Sequence, residues 1–248
     1  MKLLLDIGNS RIKWARAEGG RLTGCAGALP HGGRLPAELL PIWAALDAPG
    51  EGVFAVSVAA PSIEREIGDW LHRNWGCEWR QLTTPRAGGG IEIAYAQPAA
   101  LGADRWAAMV GARQRGLLPS CVVDCGTAVT LDAVDGAGRH LGGVIVPGLG
   151  MMRRSLTEGT HHLPAIDEGC IQVLATDTPT GIRSGTLLGL ATLIDNLFER
   201  AARCSGLPLQ AVLTGGDAPE LLPWVTRRYE HVPKLVLEGL AVLAEEVG

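Results

Sequence analysis

Apolar and polar residues along the first sixteen positions follow the pattern of a β-hairpin. An apolar run over residues 3–5 leads into Asp6 and then into the turn residues Gly, Asn and Ser at 8–10. Beyond the turn, Ile12 and Trp14 alternate with polar neighbours, which is the period of two expected of a strand with one buried face. The pattern therefore predicts two strands joined at this turn.

The rest of the first half predicts further strands and helices. Residues 53–59 form a strand-sized apolar run, and residues 62–74 carry apolar side chains at helical spacing. A second amphipathic helix is predicted over 101–113, after a glycine-rich loop at 88–90 and before Gly116 and Pro119. Strands alternating with helices indicate the α/β class.

The second half repeats the form of the first. Apolar residues 121–123 lead into Asp124, which is followed by Gly126 and Thr127 and then by predicted strands at 129–133 and 141–146. A helix at 183–203, a strand at 210–214 and a final helix at 233–246 complete the pattern. The repeat predicts two duplicated α/β lobes, residues 1–117 and 118–248, each with a mixed sheet flanked by helices.

Composition and charge exclude several classes of protein. Hydrophobic residues make up 47% of the 248 residues and charged residues 19%, which excludes a disordered or fibrous chain. A net charge of −4 and a pI near 5.9 lack the basic footprint of a nucleic-acid binder. Neither an apolar run long enough for a bilayer nor a signal-peptide pattern is present, so the sequence predicts a cytoplasmic protein without nucleic-acid or membrane partners.

Two glycine turns that follow strand-end carboxylates point to a nucleotide site. Asp6 and Asp124 each precede such a turn, and residues 214–217, Thr-Gly-Gly-Asp, form a third after another predicted strand. Backbone N–H groups of glycine turns bind phosphates, and Mg²⁺ prefers one or two carboxylates together with water and phosphate oxygens. Alone, the first turn is better explained as an Asx-type hairpin turn. The repetition favours a nucleotide cleft between the lobes.

Asp104 and Arg105 stand at the start of the predicted 101–113 helix. A first-turn carboxylate is also explained by capping or by the helix dipole, and an arginine beside it by a surface ion pair. Together they also suit a general base for a hydroxyl and a bidentate anchor for a substrate carboxylate. Both interpretations remain open at this point.

Five segments together resemble the type III pantothenate kinase family, in chain order from residue 2 to about 217. They are residues 6–13, Tyr95 with Pro98, and residues 101–106, 123–130 and 142–148. The resemblance implies the fold of the sugar kinase, heat-shock ATPase and actin superfamily. In that fold two ribonuclease-H-like lobes enclose an ATP cleft.

The resemblance also implies the nucleotide and cation ligands. Asp6 would bind the Mg²⁺ of MgATP, directly or through water, and Asp124 would bind a monovalent cation, K⁺ or NH₄⁺. The residues implied for ATP are Asp6, Ile7, Gly8, Asn9, Ser10, Arg11, Ile12 and Lys13 in the first phosphate loop, with Gly126 and Thr127 in the second.

For pantothenate, the resemblance implies a proton acceptor at Asp104 and a carboxylate contact at Arg105. The implied site comprises Tyr95, Gly102, Ala103, Asp104, Arg105 and Thr178. The segment around Thr178 departs from the family pattern. The family usually has Asn-Thr there, whereas this chain has Asp177-Thr178-Pro179. The pair His161-His162 is also irregular; it lacks a third metal ligand, so we expect it on a loop or dimer surface.

The implied activity is ATP-dependent phosphorylation of pantothenate to 4'-phosphopantothenate, the first step of coenzyme A biosynthesis, by a homodimer. Two alternatives use the same fold: a non-catalytic nucleotide-binding regulator of transcription, and a phosphohydrolase. Asp6, Asp104 and Asp124 are all present, which favours the enzyme over the regulator. Fold alone does not separate a kinase from a hydrolase.

Overall fold

The computed structural model describes residues 1–158 and 170–247 and divides into two compact units. The first contains Met1–Leu117, Gly138–His140 and the segment that begins at Lys234. The second contains Leu118–Ala137 and the described part of Leu141–Pro233. Each unit has a mixed sheet flanked by helices, which confirms the predicted α/β class.

The elements follow one another as short strands and mostly short helices. The strands are β1 (Lys2–Ile7), β2 (Arg11–Glu18), β3 (Arg21–Pro30), β4 (Val53–Ser57), β5 (Trp79–Gln81), β6 (Ala87–Gly88), β7 (Ile91–Glu92), β8 (Ser120–Cys125), β9 (Ala128–Val134), β10 (His140–Pro147), β11 (Gln210–Thr214) and β12 (Glu230–His231). The helices are α1 (Leu39–Ala44), α2 (Pro61–Trp75), α3 (Ala103–Gln114), α4 (Leu149–Glu158), α5 (Thr178–Ser205), α6 (Ala218–Leu221) and α7 (Leu235–Glu246), with a 3-10 turn at Pro98–Ala100.

The two five-stranded sheets share one topology. The strand order is β3-β2-β1-β4-β5 in the first unit and β10-β9-β8-β11-β12 in the second. In both, the central strand pairs antiparallel with the strand after it and parallel with a strand from further along the chain. The predicted duplication is therefore confirmed, strand for strand.

The first hairpin is present as predicted. Strands β1 and β2 pair so that Ile7 lies opposite Ile12 and Asp6 opposite Lys13. All six residues of β1 are buried because the strand lies between β2 and β4 in the middle of its sheet. The turn that joins β1 and β2 is thus held at the carboxyl end of a fully buried strand.

Helix α2 shows why the helical pattern was readable. Pro61 occupies the first turn, where a missing N–H costs nothing, and Gly76 ends the helix with a left-handed φ of 62°. The apolar positions at helical spacing, Ile63, Ile67, Trp70 and Leu71, are the buried ones. Residues 62–74 were predicted as helix, and the structure has Pro61–Trp75.

Four tryptophans pack together in the core of the first unit. Trp43 on α1 lies 5.4 Å from Trp70 and 6.5 Å from Trp14 between ring centroids, and Trp75 lies 4.9 Å from Trp70. Three of these contacts are edge-to-face, the arrangement that aromatic quadrupoles favour. Trp14 belongs to β2, next to Lys13, so this cluster supports the strand that follows the first turn.

Helices α3 and α7 cross at two glycines. A Cβ atom on Gly239 would collide with the carbonyl oxygen of Ala107, and one on Gly111 with the carbonyl oxygen of Leu235. The two backbones therefore touch, and α7 belongs to the first unit. The sequence had placed all of 118–248 in the second lobe, so the compact units differ from that prediction at α7 and at Gly138–His140.

The second unit has its own apolar core. Val123 and Leu131 of the sheet pack with Leu190, Ile194 and Phe198 of α5. Across residues 1–158 and 170–247, no helix combines the length and the apolar character needed to cross a bilayer.

Candidate functional site

The β1–β2 turn has an exposed tip above a partly buried ion pair. Gly8 donates its N–H to the carbonyl oxygen of Arg11 at 3.0 Å, which closes the turn, and Asn9 and Ser10 are exposed at its tip. Beneath it, Lys13 Nζ lies 3.0 Å from Asp6 Oδ2. Asp6 is 5% exposed, so this carboxylate is stabilised by Lys13 rather than by bulk water.

His31 holds the same turn through two hydrogen bonds, a role that the sequence did not predict. Its backbone N–H donates to the carbonyl of Ser10 at 2.9 Å, and its ring Nε2 lies 2.8 Å from the carbonyl oxygen of Gly8. Gly33 donates its N–H to the other ring nitrogen, Nδ1, so Nε2 is the nitrogen that carries the proton. In a trans peptide the N–H points opposite to the C=O. The N–H groups of Asn9 and Arg11 therefore face away from His31, as an anion-binding turn requires.

Asp104 lies in the first turn of α3, in the same unit as Asp6. Its Oδ1 accepts the backbone N–H of Arg105 at 2.8 Å. A Cβ on Gly102 would stand 2.5 Å from that oxygen, so any larger residue there would push the carboxylate out of this position. Sequence reasoning named Gly102, and the structure supplies this steric reason for it.

The environment of Asp104 raises its pKa. Burial is the largest cause and the negative charge of Asp6 adds to it, while the backbone N–H and the guanidinium of Arg105 act in the opposite direction. A raised carboxyl pKa makes the group a stronger base once it is ionised. Two carboxylates that repel one another inside one compact unit are typical of a functional site.

Arg105 and Tyr95 form a second group beside Asp104. Arg105 is only 6% exposed, and its Nη1 donates to the Tyr95 hydroxyl at 3.2 Å. The guanidinium also lies 5.8 Å from the centre of the Tyr95 ring, and this ring stacks on that of His140 with 5.9 Å between the ring centroids. A buried guanidinium held in this way is prepared to bind a carboxylate.

In the second unit, the β8–β9 turn lies in the same place as the first, after the central strand of its sheet, but it is one residue shorter. Asp124 is paired with Thr130 on one side and Thr214 on the other, and Gly126 donates its N–H to the carbonyl of Ala128 at 3.1 Å. Gly148 donates to the carbonyl of Thr127 at 3.0 Å. The predicted phosphate-loop residues Gly126 and Thr127 thus form a closed turn next to a strand-end carboxylate.

The third glycine turn lies against Asp124. Gly215 has a left-handed φ of 100°, and a Cβ there would stand 2.5 Å from Asp124 Oδ1. Asp217 donates its N–H to the carbonyl of Cys125 at 2.9 Å. The pKa of the Cys125 thiol is raised by burial and then by the charges of Asp124 and Asp217, so this thiol stays protonated and unreactive.

Thr178 is the first residue of α5, in the second unit. The side chain of Asp177 accepts the N–H of Thr180 at 2.9 Å, and Pro179 lies in the first turn. The unusual Asp-Thr-Pro sequence is therefore an ordinary helix start with a capping aspartate. His161 and His162 lie outside the described residues.

The carboxylates of Asp6 and Asp124 suit a metal ion that binds together with the phosphates of a nucleotide. Within the described part of the chain, no three His, Cys, Asp or Glu side chains group as a metal site. Asp6 and Asp124 each provide carboxylate oxygens beside a glycine turn, and Mg²⁺ commonly binds through one or two carboxylates plus phosphate oxygens. These residues fit such an ion.

Comparison with known proteins identifies the family. The type III pantothenate kinase family model matches residues 2–200. A type III pantothenate kinase of Nitrosococcus oceani is 40% identical, over 100% of this chain and 95% of its own length. The enzyme of Halorhodospira halophila is 37% identical, over 97% of this chain and 96% of its own length.

Solved structures share the fold at low identity. A protein described as a Baf family transcriptional activator from Campylobacter jejuni aligns with a TM-score of 0.61 and 19% identity, over 99% of this chain and 98% of its own. Component A of (R)-2-hydroxyglutaryl-CoA dehydratase from Acidaminococcus fermentans aligns with a TM-score of 0.55 and 16% identity, over 98% and 95% of the two chains. At these identities the likeness concerns architecture alone.

Proposed function

The chain belongs to the type III pantothenate kinase family, and from this premise we propose that it transfers the γ-phosphoryl group of ATP to the primary hydroxyl of pantothenate. One observation carries the proposal. A single compact unit holds an exposed glycine turn above the Asp6–Lys13 pair together with a partly buried Asp104, whose pKa is raised in part by the charge of Asp6. A phosphate-binding turn and a base for the acceptor hydroxyl are what this transfer needs. The product, 4'-phosphopantothenate, begins coenzyme A biosynthesis.

Asp104 is the proposed general base. Its ionised carboxylate accepts the proton of the acceptor hydroxyl as the oxygen attacks the γ-phosphorus. Phosphoryl transfer passes through a loose transition state, so the proton moves late and the main work is positioning and charge neutralisation. The Arg105 N–H holds one oxygen of Asp104, which fixes the direction of the carboxylate.

Arg105 and Tyr95 are proposed to hold the carboxylate end of pantothenate. The guanidinium provides paired donors that match a carboxylate, and the Tyr95 hydroxyl already fixes one of its nitrogens at 3.2 Å. Gly102 and Ala103 line the helix start beside them, and Thr178 is proposed as a further contact. A substrate held at one end keeps its hydroxyl near the base at the other.

Lys13 and the turn N–H groups are proposed to bind the phosphates of ATP, with Gly126 and Thr127 as the second loop. A divalent ion bound with ATP neutralises charge on the phosphate oxygens, and Asp6 is the proposed carboxylate ligand. Asp124 is proposed to bind K⁺ or NH₄⁺, because its carboxylate lies beside the glycine turns at Gly126 and Gly215.

The experiment that tests this function is ADP release by the purified protein with MgATP. We expect release that requires pantothenate and that is faster in K⁺ or NH₄⁺ than in Na⁺. Release without pantothenate would identify a phosphohydrolase instead. A folded protein that binds ATP and releases no ADP with pantothenate would contradict the enzyme and favour the regulator. An equal rate in Na⁺ would contradict only the monovalent-cation proposal.

The fall of kcat/KM at acidic pH is expected to follow the protonation of Asp104. Because burial and Asp6 raise its pKa, kcat/KM for pantothenate should fall as the pH drops through a value above the usual ~3.9 of an aspartate. Arg105→Gln removes a positive charge that lowers this pKa, so this fall should move to higher pH. Pantothenate's own carboxyl titrates equally with both enzymes, so the difference between their profiles belongs to the protein. A fall that stays at the same pH in Arg105→Gln would contradict the assignment.

We propose that the second unit pairs with a second copy of the chain through β10. This strand forms a sheet edge, and Leu141, Val144 and Ile145 on it are exposed, Ile145 at 60%. An apolar, exposed edge strand is a surface that another chain covers in soluble proteins. The family's homodimer, implied by the resemblance, supplies the occupant.

Ile145→Asp is expected to convert the dimer into a monomer, because it places a charge in the apolar contact. Size-exclusion chromatography with light scattering measures the change. Ile42→Asp, at an exposed apolar position on α1 in the first unit, is the matched control and should stay dimeric. A wild-type protein that elutes as a monomer would contradict the proposal outright.

We also propose a cytoplasmic location without nucleic-acid partners. ATP and coenzyme A synthesis belong to the cytoplasm of bacteria, and the named relatives are bacterial proteins. A net charge of −4 opposes binding to a polyanion.

A further inference from the structure

One arginine binds the main chain on both sides of Tyr95. Arg86 Nη1 donates to the carbonyl oxygens of Ile93 and Tyr95, each at 2.8 Å, and Nη2 donates to that of Ala96, also at 2.8 Å. In return, Ile93 donates its N–H to the carbonyl of Arg86 at 2.9 Å. A single guanidinium thus closes the loop that carries β6 and β7 and fixes the backbone where it leaves that loop.

Tyr95 connects this loop to the helix start. Its hydroxyl accepts from Arg105 at 3.2 Å, and its ring stacks on His140 with an interplanar angle of 26°. Arg105 is followed along the same helix by the buried Trp106, whose indole N–H donates to the carbonyl of Gly88 at 3.1 Å. The loop and the start of α3 are therefore joined at two points.

We propose that Arg86 is a positioning residue for the acceptor substrate, acting through Tyr95 on Arg105. By holding the carbonyl groups of Ile93, Tyr95 and Ala96, it fixes the backbone that carries the Tyr95 ring and hydroxyl, and this hydroxyl orients the Arg105 guanidinium. The inference rests on the proposed function, in which Arg105 binds the pantothenate carboxylate. No sequence motif marks Arg86, because all its partners are backbone atoms.

The chemistry of the contact requires arginine. A guanidinium presents five N–H donors in a rigid plane, so it can serve three carbonyls at fixed angles. A lysine ammonium has three donors around one atom on a flexible stem, and it would serve fewer carbonyls in varying geometry. Arg86 itself is exposed, so water can replace its bonds at modest cost to folding. Loss of the Arg86 side chain is therefore expected to shift Tyr95 more than it lowers the stability of the protein.

The experiment compares steady-state kinetics of Arg86→Met and Arg86→Lys with each substrate varied in turn. We expect kcat/KM for pantothenate to fall by about 10–100-fold in Arg86→Met through a rise in KM, because a displacement of about 1 Å in a positioning group costs up to that much. Arg86→Lys should lie between wild type and Arg86→Met. The KM for ATP and the melting temperature should hardly change in either variant.

Arg16→Met is the matched control, since Arg16 is another arginine of the first unit that donates to a backbone carbonyl, that of Asp47, at 2.7 Å. It should leave both KM values unchanged. An Arg86→Met enzyme with an unchanged KM for pantothenate, or with equal rises in both KM values, overturns the inference. Should Arg86→Met fail to fold, Arg86→Lys carries the same comparison.

Two further variants separate this inference from the function beneath it. Tyr95→Phe and Arg105→Lys are assayed in the same way. A raised KM for pantothenate in both, with none in the Arg86 variants, overturns the role of Arg86 alone. Unchanged KM values in Tyr95→Phe and Arg105→Lys, with a wild-type enzyme that turns over, overturn the proposed substrate site and the inference with it.

Discussion

Replacing Asp104 with asparagine is expected to lower kcat by about 10²–10⁴-fold, the usual contribution of a general base. Affinity for ATP should hardly change, because the proposed phosphate contacts lie at the β1–β2 and β8–β9 turns. Asparagine keeps the oxygen that accepts the Arg105 N–H and fits the space left by Gly102. The substitution therefore removes the basic carboxylate with little change in shape.

Stability should move in the opposite direction from activity. A carboxyl whose pKa is raised by folding binds protons more tightly in the native state than in the unfolded state. The free energy of unfolding of the protein therefore falls as the pH rises through this raised pKa. At neutral pH, Asp104→Asn removes this cost, and the melting temperature should stay equal or rise. ADP release, ATP titration and thermal melting measure the three quantities.

Asp69→Asn provides the matched control for Asp104→Asn, because Asp69 is an exposed aspartate on α2 in the same unit. It should leave kcat unchanged. An Asp104→Asn enzyme that keeps more than a tenth of wild-type kcat would rule out Asp104 as the base, since even the low end of the general-base range exceeds that factor.

Replacing Gly239 with alanine is expected to destabilise the protein by about 1–3 kcal/mol, the usual cost of forcing an extra methyl group into a packed core. The new Cβ would collide with the carbonyl of Ala107 on α3, and backbone atoms cannot rotate aside as a side chain can. Moving α7 away would also disturb α3, whose first turn contains Asp104 and Arg105. Activity should therefore fall together with stability.

Replacing Gly189 with alanine is expected to have the opposite effect on stability. Gly189 is exposed in the middle of α5, and a Cβ there would meet no atom within 4 Å. Alanine is favoured over glycine in a helix by about 0.8–1.0 kcal/mol, so Gly189→Ala should stabilise the protein. For a chain of this size, 1 kcal/mol corresponds to about 2–4 °C in the melting temperature. Melting curves followed by circular dichroism measure both variants. A Gly239→Ala protein that melts no lower than wild type would contradict the packing at Gly239, and a Gly189→Ala protein that melts lower would contradict the stabilisation expected at Gly189.

Periodicity predicted the elements whose faces are clearly divided. Strand β2 and helix α2 were readable because buried and exposed positions recur with the period of each element, and β1 was readable as a short apolar run that ends at turn residues. Strand β3 was missed, since its ten residues are mostly exposed and include small residues without an alternating apolar face. It forms because β2 offers its free edge, which is a tertiary cause.

Contacts between distant segments were beyond sequence reasoning. The close approach of Gly111 and Gly239 places α7 in the first unit, yet neither glycine differs in sequence from one that merely turns the chain. His31 and Arg86 were missed for a similar reason, because they bind carbonyl oxygens that every residue carries. Asp177 was noticed as irregular, and its meaning as a helix cap became clear only from the bond to Thr180.

The sequence predicted which residues belong to the candidate site better than it predicted how they are arranged in space. Asp6, Lys13, Asp104 and Arg105 were all named from motifs, and the structure brings them into one compact unit. Their ligand roles stay predictions until the assays above are done. The electrostatic link between Asp6 and Asp104 is a consequence of folding that no linear spacing contains.

The tryptophan cluster gives the two units separate optical signatures. Of the seven tryptophans, only Trp224 belongs to the second unit, and the other six, four of them in mutual contact, belong to the first. Intrinsic fluorescence during unfolding therefore follows mainly the unit that holds Asp104, while ellipticity follows both. Where the two signals separate along a denaturant series, the units unfold independently; where they coincide, the chain unfolds as one cooperative body.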